Sequence, residues 1–227
     1  MRDTFVRIVN EMDSFKVVAF DCDGVLFDTE QANRAYYSNI LQHFGRSAAT
    51  EEQFAFVHMH TVFESLAYLF PDEKSLAAAH VFRNTMDYQQ YLSYFIVEPH
   101  LVSLLEKLKP QFKIAIATNR SDTMNRLLAA FDLDGYFDLI VTASDVERPK
   151  PHPDALLKIS DHFNIPPDQV IYIGDSRLDE LAARAAGMPL VAYRNPELLA
   201  EYYVNGLNEI EGLLEVPYTN GVEKNGN

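Results

Sequence analysis

Two aspartates separated by one residue, Asp21 and Asp23, directly follow a short apolar run and precede a glycine, Gly24. A carboxylate can act as a nucleophile in phosphoryl transfer, and a second carboxylate beside it can donate and accept protons. Carboxylates that are crowded together repel one another, and a hard cation such as Mg²⁺ relieves that repulsion. The pattern therefore indicates nucleophilic, acid–base or metal-assisted chemistry at this turn.

Three further polar clusters follow apolar runs later in the chain. They are Thr118-Asn119-Arg120, Arg148-Pro149-Lys150-Pro151, and Gly174-Asp175-Ser176-Arg177-Leu178-Asp179. Lys150 can neutralise a phosphoryl oxygen as a compact point charge. Thr118 and the backbone N–H groups after Asp21 can donate hydrogen bonds to other phosphoryl oxygens. Acidic groups in the first and last clusters, with cations and a hydroxyl between them, predict a site for a metal ion and a phosphate.

The apolar runs that precede these clusters predict strands that are buried on both faces of a parallel sheet. The runs are Val17–Phe20, Ile114–Ala117, Leu139–Val141 and Val170–Ile173, with a fifth at Leu190–Tyr193. Helical patterns separate them, at Leu101–Leu108, at Thr123–Phe131 with Ser121 as the N-cap, at Pro153–Phe163 and at Leu178–Ala186. This alternation predicts an α/β fold with a doubly wound, Rossmann-like parallel sheet. In such sheets ligands bind beyond the carboxyl ends of the strands, where the polar clusters fall.

The pattern changes between residues 28 and 99, where helical periodicity dominates and no strand run is convincing. The segments Ala35–Phe44, Phe63–Phe70 and Ala77–Tyr94 each predict a helix. We interpret residues 28–99 as an all-helical cap domain inserted into a catalytic core of residues 15–27 and 100–216. Residues 1–14 are expected to form an N-terminal arm or short helix, and residues 217–227 a mobile tail.

Composition narrows the class of protein further. The chain has 227 residues and a net charge of −14, which argues against a general nucleic-acid binder. A single cysteine, Cys22, excludes an internal disulfide. The N-terminus has no continuous apolar region, and no window approaches the roughly 20 apolar residues of a membrane span. We therefore expect a cytoplasmic protein, a monomer or homodimer, whose partner is a small phosphorylated metabolite.

Together the four clusters resemble the haloacid dehalogenase-like hydrolase superfamily, in its phosphatase branch with a helical cap, which includes phosphoglycolate phosphatase and β-phosphoglucomutase. The resemblance rests on residues 21–29, 118–120, 150–154 and 174–179, which carry the four family motifs in the family's order. It implies that Asp21 is the nucleophile that forms a phosphoaspartate. Asp23 would be the acid that protonates the leaving alcohol and then the base that activates water. Dehalogenases of the superfamily lack an acid at that position, so Asp23 favours phosphoryl transfer.

The resemblance also assigns the remaining site residues. Thr118 would bind the transferring phosphoryl group, and Lys150 would stabilise its charge and orient Asp21. Mg²⁺ would be held by Asp21, by Asp175 and by the backbone carbonyl of Asp23, with Asp179 joining directly or through water. The expected substrate-binding residues are Cys22, Gly24, Asn119 and Arg120.

Several alternatives stay open from the sequence alone. Asp179 can be a surface carboxylate in the first turn of a helix, and Lys150 a solvated loop lysine. Arg120 and Arg148 suit either solvated surface positions or a second anionic group of the substrate. We expect Cys22 to be a buried, inert thiol. The cap residues that are candidates for substrate contact are Phe56, His58, His60 and Arg83.

The functional expectation is a Mg²⁺-dependent phosphatase, similar to phosphoglycolate phosphatase, that hydrolyses a small organic phosphate monoester. One alternative is a sugar-phosphate mutase of the β-phosphoglucomutase type, which passes the phosphoryl group to a second hydroxyl. Another is a protein that binds a phosphorylated ligand without turnover.

Overall fold

The computed structural model describes residues 15–214, and a parallel sheet of six strands lies at its centre. The described residues contain eight strands: β1 (Val17–Phe20), β2 (Phe27–Asp28), β3 (Ile96–Val97), β4 (Lys113–Ala117), β5 (Leu139–Val141), β6 (Val170–Gly174), β7 (Leu190–Tyr193) and β8 (Tyr202–Val204). Strands β2 and β3 lie outside the main sheet, and the other six form it. The order across the main sheet is β5-β4-β1-β6-β7-β8, and every neighbouring pair is parallel. Strand β1 is therefore central, between β4 and β6.

The described residues contain ten α-helices, and five of them cover the two faces of this sheet. The helices are α1 (Glu30–His43), α2 (Glu51–Met59), α3 (Val62–Leu69), α4 (Glu73–Thr85), α5 (Gln89–Leu92), α6 (Leu101–Leu108), α7 (Met124–Ala130), α8 (Asp154–Phe163), α9 (Arg177–Ala186) and α10 (Asn208–Leu213). Alternate residues of β1 join two hydrophobic clusters, one with α6, α7 and α10 and the other with α8 and α9. This arrangement confirms the predicted doubly wound α/β fold.

Helices α1 to α4 form a cap with its own hydrophobic cluster. The two crossings between cap and core are joined by a short antiparallel ribbon, in which Phe27 pairs with Val97 and Asp28 with Ile96. The insertion is thus helical apart from this ribbon. Strands of two residues are too short to produce a recognisable alternating pattern in the sequence.

The structure corrects several local predictions. The single helix expected at Ala77–Tyr94 is divided, because α4 ends at Thr85 and the extended Met86 separates it from α5. Thr123 rather than Ser121 is the N-cap of α7. The edge strand β8 and helix α2 were not predicted. The predicted N-terminal arm or short helix at residues 1–14 and the predicted tail at residues 217–227 lie outside the described residues. Within residues 15–214, no helix is long and apolar enough to cross a bilayer.

Candidate active site

The carboxyl ends of three neighbouring strands bring the predicted site residues together. Asp21 follows β1, Thr118 follows β4, and Asp175 follows β6. Because β1 lies between β4 and β6 and all three run in parallel, these residues meet at one edge of the sheet. All three line one cavity between the core and the cap.

The turn after Asp21 requires a glycine. Gly24 has φ +79°, and a Cβ at this position would overlap the Asp175 carboxylate. The neighbouring Cys22 is buried, and its backbone N–H donates to Asp21 Oδ1 over 2.7 Å. Burial raises the pKa of the Cys22 thiol well above its ordinary value, in keeping with an unreactive side chain.

Lys150 is the buried cation of the site, and its side chain is 2% exposed. Its Nζ lies 2.9 Å from Asp21 Oδ1 and 2.7 Å from Asp179 Oδ1. Burial alone lowers the pKa of Lys150, but the charges of Asp179 and Asp21 outweigh it and raise that pKa above the ordinary value. Lys150 is therefore charged, and the alternative of a solvated loop lysine is wrong.

Asp179 is fully buried, so the alternative of a surface carboxylate is wrong as well. Its Oδ1 accepts hydrogen bonds from Lys150 and, over 2.7 Å, from the hydroxyl of Tyr172. Its Oδ2 accepts from the N-cap of α9, Ser176, over 2.5 Å. Tyr172 was missed in the sequence, although a hydroxyl in an otherwise aliphatic buried strand is the signal that identifies it. Asp179 and Tyr172 together hold Lys150 in place.

Three carboxylates of the site are arranged as a metal-binding group. Oxygen atoms of Asp21, Asp175 and Asp179 all lie within 4.8 Å of one another. Burial, with repulsion from Asp179 and Asp21, raises the pKa of Asp175 well above its ordinary value. Burial also raises the pKa of Asp21, even though Lys150 opposes the shift. Lys150 thus does not compensate the negative charge of the three carboxylates. A hard divalent cation fits this set of oxygen donors.

Asp23 is held by Arg120 in a two-point ion pair. Arg120 Nη2 lies 2.7 Å from Asp23 Oδ1, and Nε donates to Oδ2 over 2.8 Å. The Arg120 side chain is only 9% exposed, so the alternative of a solvated surface arginine is wrong for this residue. Burial alone raises the pKa of Asp23, but the charge and hydrogen bonds of Arg120 hold it below its ordinary value. Asp23 is therefore ionised in this arrangement.

The loop that follows β4 contacts both the site and the cap. Thr118 Oγ1 accepts the N–H of Arg120 over 3.1 Å, which leaves the hydroxyl proton available for a ligand. Asn119 exchanges hydrogen bonds of 3.0 Å with the backbone of Lys150 and also donates to the cap at Met59 O over 3.2 Å. Arg120 donates to the hydroxyl of Tyr88 over 2.6 Å.

The remaining candidates are divided between cavity and surface. His58, His60 and Arg83 line the cavity, whereas Phe56 stacks behind His60 with ring centroids 3.8 Å apart. Arg148 is 57% exposed and pairs with Asp154, as expected of a surface arginine.

The sequence and the fold are similar to those of known proteins. The family profile described as haloacid dehalogenase-like hydrolase matches residues 18–193. A solved HAD-superfamily hydrolase of subfamily IA from Geobacter sulfurreducens is 40% identical, with a TM-score of 0.73; the match covers 88% of this chain and 97% of that chain. β-Phosphoglucomutase from Clostridium difficile is 23% identical with a TM-score of 0.75, covering 88% of this chain and 97% of that chain, and shares the fold.

Curated proteins also match. A protein named as the pyrophosphatase PpaX, from Caldanaerobacter subterraneus subsp. tengcongensis, is 30% identical over 182 residues, which are 78% of this chain and 80% of that protein. Phosphoglycolate phosphatase from Escherichia coli is 38% identical over 95 residues, which are 41% of this chain and 38% of that protein.

Proposed function

The chain belongs to the haloacid dehalogenase-like hydrolase family, and on that premise we propose that it is a phosphatase that hydrolyses a small organic phosphate monoester through a phosphoaspartate on Asp21. One observation carries the proposal: Asp21 lies 2.9 Å from the buried, charged Lys150 in a cavity that Thr118 and Asp175 also line. A carboxylate beside a fixed cation and a hydroxyl donor suits a phosphoryl group. The phosphatase names of the matching relatives support the same reaction class.

In the first half of the reaction, a carboxylate oxygen of Asp21 attacks phosphorus and the bond from phosphorus to the ester oxygen breaks. The phosphoryl group passes to Asp21, and the leaving alkoxide takes a proton from Asp23. In the second half, a water molecule gives a proton to Asp23 and attacks phosphorus. The bond to Asp21 then breaks, which releases inorganic phosphate and restores both aspartates.

The surroundings of Asp23 set a condition on this sequence of steps. The pairing with Arg120 favours the ionised form, which is the form required of the base. The acid step needs a proton on Asp23, so the ion pair with Arg120 has to open before the leaving group departs. Arg120 also contacts Tyr88, which lies between α4 and α5, and movement of that segment is therefore coupled to this pair.

Lys150 and Thr118 stabilise the transferring group. The Lys150 charge offsets the negative charge of the phosphoryl oxygens, and its hydrogen bond orients Asp21. The Thr118 hydroxyl donates a further hydrogen bond. Both groups are fixed before substrate enters, because Lys150 is held by Asp179 and Thr118 is 2% exposed at the end of β4. Little reorganisation is then needed during reaction.

We propose Mg²⁺ as the cofactor, held by Asp21, Asp175 and the backbone carbonyl of Asp23. Within residues 15–214, no hydrogen bond occupies that carbonyl. Asp179 is already bound to Lys150, Tyr172 and Ser176, so we assign it the role of positioning Lys150 and not that of a principal ligand. When bound, the ion supplies positive charge that offsets the repulsion between the aspartates and the phosphoryl group.

The test of the function is a screen with Mg²⁺ of phosphate monoesters, including phosphoglycolate, sugar phosphates and nucleoside monophosphates, and of pyrophosphate as a phosphoanhydride. We expect release of inorganic phosphate, abolished by EDTA and restored by excess Mg²⁺. Mg²⁺ should also raise the melting temperature, because binding at 100 times Kd stabilises the folded state by about 2.7 kcal/mol. Asp175→Asn should reduce that shift. Activity that survives complete chelation, or an unchanged melting temperature, would remove the metal from the scheme.

Asp23→Asn should separate the acid step from the attack step. We expect kcat/KM for an alkyl phosphate, which reports the steps up to the phosphoaspartate, to fall by about 10²–10⁴-fold, because an amide cannot protonate the leaving alkoxide. The loss of kcat/KM should be smaller for p-nitrophenyl phosphate, whose leaving nitrophenolate is stable without a proton. Equal losses of kcat/KM for both substrates would show that Asp23 is not the acid.

A further inference from the structure

Arg83 of the cap makes an ion pair with Asp122 of the core. Its Nη2 lies 2.7 Å from each carboxylate oxygen of Asp122, and its Nε donates to the hydroxyl of Tyr36 over 3.1 Å. The Arg83 side chain is only 10% exposed, whereas that of Asp122 is 55% exposed. The pair therefore joins a largely buried cation of one unit to a largely solvated anion of the other.

Arg83 faces the same cavity as the proposed nucleophile. Asp21, Tyr36, Arg83 and Asp122 all line that cavity. The other arginine of the cavity, Arg120, belongs to the core and serves the proposed acid–base residue, because Nε and Nη2 bind Asp23 while Nη1 binds Tyr88 and Thr123. Arg83 is thus the cap arginine positioned to meet a part of the substrate other than the transferring phosphoryl group.

Asp122, the partner of Arg83, can give up its ion pair with Arg83 to an anionic group of a ligand. Asp122 also accepts a hydrogen bond from Ser121 over 3.1 Å, and its exposed carboxylate can be solvated by water once Arg83 leaves it. An exposed carboxylate is a weak partner, since solvent screens the pair. A guanidinium binds carboxylate and phosphate groups with the same planar geometry. The Asp122 carboxylate therefore occupies a position that an anionic group of a ligand can take over.

We propose that Arg83 binds a second anionic group of the substrate, a carboxylate or a second phosphate, in place of Asp122. This inference rests on the proposed function, and it names the substrate class as small phosphate monoesters that carry a second negative charge. Arg83 selects the substrate, and Lys150 and Thr118 bind the phosphoryl group that reacts. Asp122 competes with the substrate for Arg83.

The experiment compares matched substrates that differ only in the second charge. One pair is phosphoglycolate and 2-hydroxyethyl phosphate, and the other is 1,3-propanediol bisphosphate and 3-hydroxypropyl phosphate, so the two pairs distinguish a carboxylate from a phosphate. The measured quantity is the ratio of kcat/KM within each pair. We expect a ratio of about ten or more in at least one pair for the native protein, the effect of one charge-assisted hydrogen bond. Arg83→Gln should bring that ratio close to one.

Asp122→Asn distinguishes substrate binding by Arg83 from a purely structural ion pair between cap and core. If Asp122 competes with the substrate, its loss should raise the ratio and lower KM for the anionic substrate, opposite to the effect of Arg83→Gln. Arg34→Gln is the matched control, since Arg34 is a cap arginine that pairs with Glu30 and Glu51 at the surface. The control should leave the ratio unchanged.

Two outcomes would overturn the proposal. In the first, Arg83→Gln and Asp122→Asn lower kcat/KM equally for both substrates of a pair, or the native protein shows no preference for a second charge. Arg83 would then only connect cap and core, and the proposed phosphate hydrolysis would still stand. If the native protein hydrolyses no member of either pair or of the broader screen, the proposed function itself fails.

Discussion

Asp21→Asn is expected to reduce turnover of every phosphate monoester by roughly 10⁴-fold or more, the scale seen when a covalent nucleophile is removed. An amide oxygen carries too little negative charge to attack phosphorus, and no phosphoaspartate can form. The substitution keeps the size of the side chain, so the fold should persist with Lys150 still paired to Asp179. The measurement is kcat for p-nitrophenyl phosphate and phosphoglycolate, with the melting temperature as a check on folding.

A surface aspartate provides the control for this substitution. Asp161 is exposed on α8, so Asp161→Asn should retain native kcat. Near-native turnover by Asp21→Asn would show that the nucleophile has been misassigned. A folded but inactive Asp21→Asn variant that still binds phosphate would support the assignment.

Lys150→Met is expected to damage both stability and catalysis. Removing the cation leaves Asp21 and Asp179 buried close together without their shared partner. Breaking a buried ion pair by removal of one partner typically costs about 3–5 kcal/mol of unfolding free energy. Loss of a fixed charge beside the transferring group should also lower kcat about 10²–10³-fold. Urea unfolding and steady-state kinetics measure the two effects separately.

A double variant separates the two roles of Lys150. Lys150→Met leaves two buried carboxylates, Asp21 and Asp179, without their cation, and Asp179→Asn removes the charge of one of them. The double variant should therefore regain part of the unfolding free energy that Lys150→Met loses, while its kcat remains low. Recovery of kcat together with stability would show that Lys150 acts only through the fold. The control is Lys158→Met on the exposed face of α8, which should change the unfolding free energy by no more than about 0.5 kcal/mol.

The sequence predicted the fold of the core, and which polar residues meet at the carboxyl ends of its strands, because both depend on short-range patterns. Apolar runs that end in Asp21, Thr118 or Asp175 mark strands whose carboxyl ends meet in a parallel sheet. The order of strands then brings these residues together without any detailed knowledge of side-chain packing. The same reasoning missed β8, whose three residues at the sheet edge are too few to give a strong pattern.

The partners of the charged side chains could not be predicted in this way. Arg120 and Asp23 are 97 residues apart, and their pairing depends on β4 lying beside β1 in the sheet. Arg83 and Asp122 are 39 residues apart, and their pairing depends on how the cap docks on the core. Nothing local in the sequence distinguishes such an arginine from a solvated one. The hydroxyl of Tyr172 in a buried strand signals that it needs a polar partner, but its partners Lys150 and Asp179 are brought to it by a turn and a helix outside that strand.

The segment from Thr118 to Asp122 connects the proposed phosphoryl position to the cap. Thr118 faces the proposed phosphoryl position, while Asn119, Arg120 and Asp122 each bond to the cap, at Met59, Tyr88 and Arg83. A ligand that shifts this segment therefore changes the free energy of cap docking, and by thermodynamic reciprocity cap docking changes ligand affinity by the same factor. Tyr88→Phe, which removes only the hydroxyl that Arg120 binds, should therefore change the affinity for inorganic phosphate in a binding titration.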